Sequence, residues 1–432
     1  MSYISGSSRR TLTYILAVCV FLICSVPDHA DAKIKIAYGC WGSALSMQRN
    51  AEIVKAFQAI HPEIEVEYLI HSSDAAQNTE KLWVQFISGT APDIVQMTYA
   101  GPILDWYESG AIRPIDDLIA RDQFPINDFL PWTLHYARYK GQLMGLPRSS
   151  SSSSIGTSVS AYNRELFLTH GLPFPTNAWT FMDIVEWGRK LTRDVSGDGN
   201  IDQWGVESIS DHWYLWAWCA GGEILSENEK TLLLLDNERA IEGLEFAVDL
   251  YHEYGIVGGS FARRTAGMAL CKVSTTGSRG WFKSYPDLDW AILGNPAGPN
   301  SERGYHQVGS HIIGINSTIP QARVDAAWEY MKFLSSPEYQ EFEYYVLDAG
   351  TPHLRQLVNT ARFLTLQNPP WSYAPLLEAL NAGGGRTLPH SRGWVELRQT
   401  VAELFAVAKK SGLSMRMQLE SNRGRLSGIK FD

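Results

Sequence analysis

Cysteine is scarce: five residues in a chain of 432. Two of them, Cys19 and Cys24, sit in an N-terminal apolar run, so the body of the chain holds only Cys40, Cys219 and Cys271. An odd count excludes a complete disulfide framework. There is no CxxC pair, which argues against a cysteine-based zinc or redox site. One Cys219–Cys271 bridge suits an oxidising compartment; three small buried thiols are the other reading. Basic charge is also short, 37 Lys and Arg against 46 Asp and Glu, a net of −9 without any Lys/Arg cluster. That excludes the electrostatic footprint of a nucleic-acid binder or of a protein drawn to anionic membranes. The common catalytic signatures are missing: no GxGxxG after a strand, no GxxxxGK[ST], no GxSxG and no HExxH. Carboxylates are plentiful but no pair stands out by context, so a secreted glycosidase is a minor alternative and no enzyme is expected. Beyond residue 32 no apolar run reaches the ~18 residues of a membrane span.

What is present is a folded composition, 45% hydrophobic and 19% charged, at a length that suggests two or three compact units. Aromatics reach 12%, with 15 Trp. Indole N–H groups need partners, so this much Trp points to binding surfaces as well as core. At the N-terminus Arg9 and Arg10 precede the run Tyr14–Cys24, then Pro27 and Ala30-Asp31-Ala32. This is the pattern of a secretory signal peptide over 1–32, cleaved after Ala32, with an uncleaved N-terminal anchor as the other reading, and export from the cytoplasm is expected.

Lys33-Ile-Lys-Ile-Ala-Tyr38 alternates as a strand. Ile53, Val54, Phe57 and Ile60 recur at helical spacing until Pro62, and Ile64, Val66 and Tyr68 alternate with glutamates. A second helix carries Leu82, Phe86 and Ile87, and Asp93–Met97 reads as a third strand. This succession predicts a parallel, doubly wound unit. Ligands of such sheets bind beyond the carboxyl ends of the strands, which nominates Trp41, Asp74 and Tyr99. Six serines at 149–154 form either a flexible linker or a hydroxyl-rich crossover lining a cleft. Beyond them the pattern restarts: Thr180 and Asp183 make a capping box ahead of a helix, further helices follow at 241–251, 320–334 and 394–408, and strands at 290–293 and 311–315.

Three local features carry candidate chemistry. Asp194, Ser196, Asp198 and Gly199 follow the front half of an EF-hand loop, with Asp202 nearby, but Gly205 stands where the bidentate Glu belongs. Structural Ca²⁺ at Asp194, Ser196, Asp198 and Asp202 is therefore one reading and a tight Gly/Asp turn the other; no further cofactor is expected. His212–Trp218 is dense in aromatics, and Trp213 and Trp216 share a helix face. Such a stripe is either core or a stacking platform for sugar C–H faces. Gly277-Ser278-Arg279-Gly280-Trp281 either lines a cleft or turns the chain.

Seven segments occur in an order that identifies a family: Phe57–Val66, Ser88–Ile94, Gly145-Leu-Pro147, Tyr162–Phe167, Ala220–Leu225, Ala326–Leu334 and Gly350-Thr-Pro352. The chain resembles the solute-binding proteins of bacterial carbohydrate ABC importers, which include maltose- and glycerol-3-phosphate-binding proteins. The resemblance implies an α/β fold of two lobes, each a doubly wound sheet with helices on both faces. It implies a first lobe of 33–147 with 309–345, and a second of 157–298 with 352–432. Hinge crossovers would lie at 148–156, 299–308 and 346–351. Carried over by position, it implies ligand contacts at Trp41 to Ser43, Tyr99, Arg148, Ser149, Trp213, Trp216, Ser278, Arg279, Gly309, Ser310, His311 and Arg355. The first position of the family's Gly-Gly-Ser is Val308 here, and Arg279-Gly280 interrupts its Gly-x-Trp turn. It further implies a small-molecule carbohydrate ligand, the transmembrane subunits of an ABC permease as partner, and a monomer. A polyol phosphate or acidic solute, held by Arg148, Arg279 or Arg355, is the alternative ligand.

Overall fold

Strand β1, Ile34–Cys40, turns alternate residues inward, and Tyr38 is fully buried at its centre. Helix α1, Ala44–Ile60, starts at Ser43, whose side chain accepts from the Ser46 N–H, and buries Ile53 and Phe57. Strand β2, Ile64–Ile70, lies parallel to β1 from Ile34↔Ile64 to Cys40↔Ile70, with its glutamates toward solvent. Helix α2, Ala75–Ile87, is capped by Asp74, and β3, Ile94–Met97, is buried throughout. Helix α3, Pro102–Glu108, and a 3₁₀ segment, Pro131–Ala137, lead to β4, Leu146–Arg148. These come from a computed structural model that describes residues 33–98, 102–148, 158–274 and 284–431. The signal segment, Tyr99, Ser149, the serine run, Ser278 and Arg279 lie outside the described residues.

The second sheet opens with β5, Val159–Asn163. Helix α4, Phe181–Leu191, begins with the expected capping box, in which Thr180 and Asp183 satisfy each other's backbone N–H. Strand β6, Trp204–Val206, and helices α5, Trp213–Cys219, and α6, Glu238–His252, follow. Then come β7, Ala266–Val273, and β8, Trp290–Leu293. The chain next returns to the first sheet as β9, His311–Ile315, and continues into α7, Gln321–Ser335. Helix α8, Arg392–Ser411, packs back on α5 and α6.

The first sheet has the order β2-β1-β3-β9-β4, with β9 antiparallel to both neighbours, and the second β8-β5-β7-β6. The chain leaves the first sheet after Arg148, re-enters it at His311 and leaves again beyond α7. Two α/β lobes are the architecture read from the sequence. Cys40, Cys219 and Cys271 are all buried and unbridged.

Candidate functional site

The carboxyl ends of β1 and β2 finish level, so the loops that follow them touch: the Gly42 N–H donates to the Ser72 carbonyl at 3.1 Å. The start of β9 and the end of β4 meet at the same rim, where His311 pairs with Arg148. Trp41, half-buried, meets the His311 ring edge-on, centroids 4.8 Å apart. Below the rim is a cavity of about 220 Å³ lined by Trp41, Ser43, Ser46, Arg49, Asn50, Ser73, Gln96 and Arg148, with Tyr38 and Tyr68 in its wall.

Its floor is a buried polar network. Arg148 donates from Nη1 to Glu343 Oε1 at 3.0 Å and Oε2 at 3.3 Å, and both side chains are 2% exposed. Tyr339 donates to Glu343 at 2.9 Å, Tyr38 donates to Gln96 at 2.8 Å, and the Tyr68 and Tyr330 hydroxyls lie 2.6 Å apart. Burial opposes the Arg148 cation, but the Glu343 carboxylate holds it charged, well above the usual guanidinium range. Burial pushes the Tyr38, Tyr68 and Tyr339 hydroxyls up, so they act as neutral hydrogen-bonding groups. Burial likewise pushes the Cys40 thiol up to about 12, although Arg148 pulls it down. A thiol so disposed is packing, not a nucleophile. On the wall, Arg49 donates to the Asp348 carbonyl at 3.0 Å. The surface thus offers an aromatic ring, hydroxyls, amides and guanidinium groups. Glu343 is the one carboxylate among its described lining residues, and Arg148 engages it.

The other nominated positions divide. Ser310 sits behind Arg148, donating to the His311 carbonyl at 2.7 Å and lying 2.9 Å from His353 Nε2. Gly309 has φ +154°, and a Cβ there would press on the Tyr136 ring at 2.7 Å, so its role is backbone shape. Asp74 caps α2 by accepting from the Gln77 N–H at 2.9 Å. Arg355 is exposed and donates to the Phe129 carbonyl at 3.2 Å, away from the cavity. The stacking role expected of Trp213 and Trp216 is corrected: both are 0% exposed. Trp213 packs on Trp394 and donates to the Arg398 carbonyl at 3.0 Å, while Trp216 packs between Phe181 and Phe246. Helix α5 is covered on all sides, so no indole face is open to a ligand.

The Asp194–Asp202 loop has the tight-turn arrangement. Asp194 accepts from the Gly197 and Gly199 N–H groups at 2.6 and 2.7 Å, Asp202 from Val195 and Ser196, and Asp198 from Asn200. These bonds lower all three carboxyl pKa values, the first of them mainly through the Gly199 N–H. Among the described residues no group of three or more His, Cys, Asp or Glu is placed to hold a metal ion.

Sequence reading missed Ser46, Arg49, Asn50, Gln96 and Glu343. Two of these left a trace: Gln96 interrupts the apolar Ile94–Met97, and Glu343 the aromatic Phe342–Val346.

The profile of bacterial extracellular solute-binding proteins matches residues 48–341. The chain belongs to this family. A binding protein of Brucella abortus (strain 2308) is 23% identical over 378 residues, covering 81% of this chain and 87% of its own. Among solved structures, an ABC substrate-binding protein from Listeria monocytogenes in complex with cycloalternan superposes with a TM-score of 0.73 at 18% identity, over 91% of this chain and 98% of that one. The sugar-binding protein MalE from Xanthomonas citri gives 0.73 at 16%, over 91% and 97%. UgpB from Mycobacterium tuberculosis in complex with glycerophosphocholine gives 0.70 at 18%, over 92% and 98%. The two-lobed fold is that of these solved structures. Members of the family are binding proteins, and among the described residues no helix is long and apolar enough to cross a membrane.

Proposed function

We propose that this solute-binding protein is the periplasmic receptor of a carbohydrate ABC importer, exported by its N-terminal signal peptide. It takes a sugar or oligosaccharide between its lobes and hands it to the membrane permease. The observation that carries this is Trp41, a half-buried ring at the mouth of a cavity whose polar lining is hydroxyls and amides, with the Arg49 guanidinium and the Arg148–Glu343 ion pair. Stacking holds the apolar face of a pyranose, and the hydroxyls and amides select its substituents. Solute that touches both lobes favours the closed state by its differential affinity. Membership of a family of binding proteins supports a non-catalytic role.

Arg49 and Arg148 support a second reading, a phosphate-bearing polyol, since guanidinium groups match phosphate oxygens. A thermal-shift screen against sugars, polyols and polyol phosphates distinguishes the two, because bound ligand raises the midpoint by mass action. With the responding solute, Trp41→Ala is expected to lose roughly 5- to 150-fold in affinity by calorimetry, equivalent to ~1–3 kcal/mol for one stacking platform. Unaltered affinity in that variant would remove the carbohydrate reading. Release of reducing sugar from an oligosaccharide would make the protein an enzyme.

A further inference from the structure

The segment that leads into α8 crosses to the other lobe. The Tyr136 hydroxyl donates to the Leu388 carbonyl at 3.0 Å. Arg392, the first residue of α8, donates to Asp105 Oδ1 from Nε at 2.8 Å and from Nη2 at 2.7 Å, and to Glu108 Oε2 at 2.8 Å. Asp105 and Glu108 lie on α3, in the first lobe, whereas α8 packs on α5 and α6 in the second. Between these contacts the His390 ring lies against first-lobe rings: Tyr136 at 5.8 Å, His135 at 6.1 Å and Tyr107 at 6.3 Å between centroids. From its own lobe, Glu229 accepts the His390 backbone N–H at 2.5 Å. Nε2 of His135 and Nε2 of His390 are both buried and have no hydrogen-bond partner among the described residues.

We propose that this seam is a proton-sensitive clasp: protonation of the His135–His390 pair breaks the packing of 388–392 on α3 and the 131–137 segment and shifts the equilibrium between lobe arrangements. The functional consequence rests on the reading above, in which the lobes move around a solute; the clasp itself does not. In the packed seam a protonated ring would place an N–H in a dry site without an acceptor and face a second imidazole across 6.1 Å. Burial lowers the basicity of both rings, and that of His390, which His135 also opposes, falls to about 4. The remaining groups give little relief. Tyr107 spends its hydroxyl on the Tyr136 carbonyl at 2.8 Å. The Glu229 carboxyl is pushed up by burial, so it loses its charge early in acid. Asp105 and Glu108 are committed to Arg392. A released His390 titrates near the ordinary ~6.5, so the ratio of released to packed seam rises as pH falls, by up to about tenfold per unit.

The test needs no solute. Spin labels placed through Lys55→Cys on α1 and Lys410→Cys on α8, both exposed, report the distance between lobes, while Cys40, Cys219 and Cys271 are buried. Between pH 7 and pH 4 a second distance population is expected to grow in the otherwise wild-type protein, with near-ultraviolet circular dichroism unchanged. His390→Gln, neutral at every pH, is expected to abolish the growth; His135→Gln is the substitute if that variant does not fold. A distance distribution constant with pH overturns the proposal. So does a transition that survives in the glutamine variant, which would assign it to the carboxylates under Arg392. Either result leaves the solute-binding reading intact, because no solute is used.

Discussion

Arg148 and Glu343 are 195 positions apart and meet in a buried site. Removing one partner strands a buried charge. Glu343→Gln is expected to lower unfolding stability by about 3–5 kcal/mol in urea denaturation, whereas the pair Arg148→Met with Glu343→Leu is expected to recover most of it. Recovery would show that the ion pair serves solute recognition or lobe geometry more than folding. Trp213 and Trp216 are the opposite case. Each alanine variant is expected to cost about 3–5 kcal/mol with solute affinity unaltered, the signature of core and not of a platform. The error in reading them is instructive. Periodicity shows that two rings share a helix face, but which neighbours cover that face is a long-range fact. Here Phe181, Phe246 and Trp394 supply the cover, from helices far apart in the chain. The place of Trp41 at the rim was legible because strand topology alone fixes where a carboxyl end points. The ion pair was not, because nothing local links Arg148 to Glu343.

Local signals served best for whole elements. Strands β1 and β2, helices α1 and α2 and the capped α4 follow from alternation, spacing and caps written in adjacent residues. Thr180→Ala is expected to cost about 1 kcal/mol, since it strips one half of the capping box. Gly243 sits in the interior of α6, where alanine would ordinarily help by about 1 kcal/mol. Its hydrogen faces the Trp216 carbonyl, and a Cβ there would collide with that backbone oxygen. Gly243→Ala is therefore expected to destabilise the protein by thermal melt, because helices α5 and α6 must part. In the EF-hand-like loop the carboxylate oxygens are bonded to the loop's own N–H groups. EDTA is expected to leave the melting temperature unchanged, and a Ca²⁺-dependent rise would show that the loop rearranges around the ion.

Across the whole molecule, acid should act through buried imidazoles. Burial lowers His306 to about 4 and His353 to about 3, the latter with help from Arg148, besides the pair at the lobe seam. Each is neutral when folded and takes a proton near ~6.5 when unfolded. The unfolded chain thus binds more protons at every pH between these values. Stability is full above about 6.5 and falls continuously as pH drops toward 3, which urea titrations at successive pH values would show.

The order in which the first sheet is completed also has a temporal side. Its strand β9 lies between β3 and β4 and is antiparallel to both, yet it arrives only after the entire second sheet has been made. A chain emerging N-terminus first therefore presents β3 and β4 as bare strand edges until residue 315 is available. Sheet closure over such separations is slow, and bare edges recruit other chains. In a nascent chain of this design the first sheet therefore stays open for most of the synthesis, whatever the second sheet has done by then.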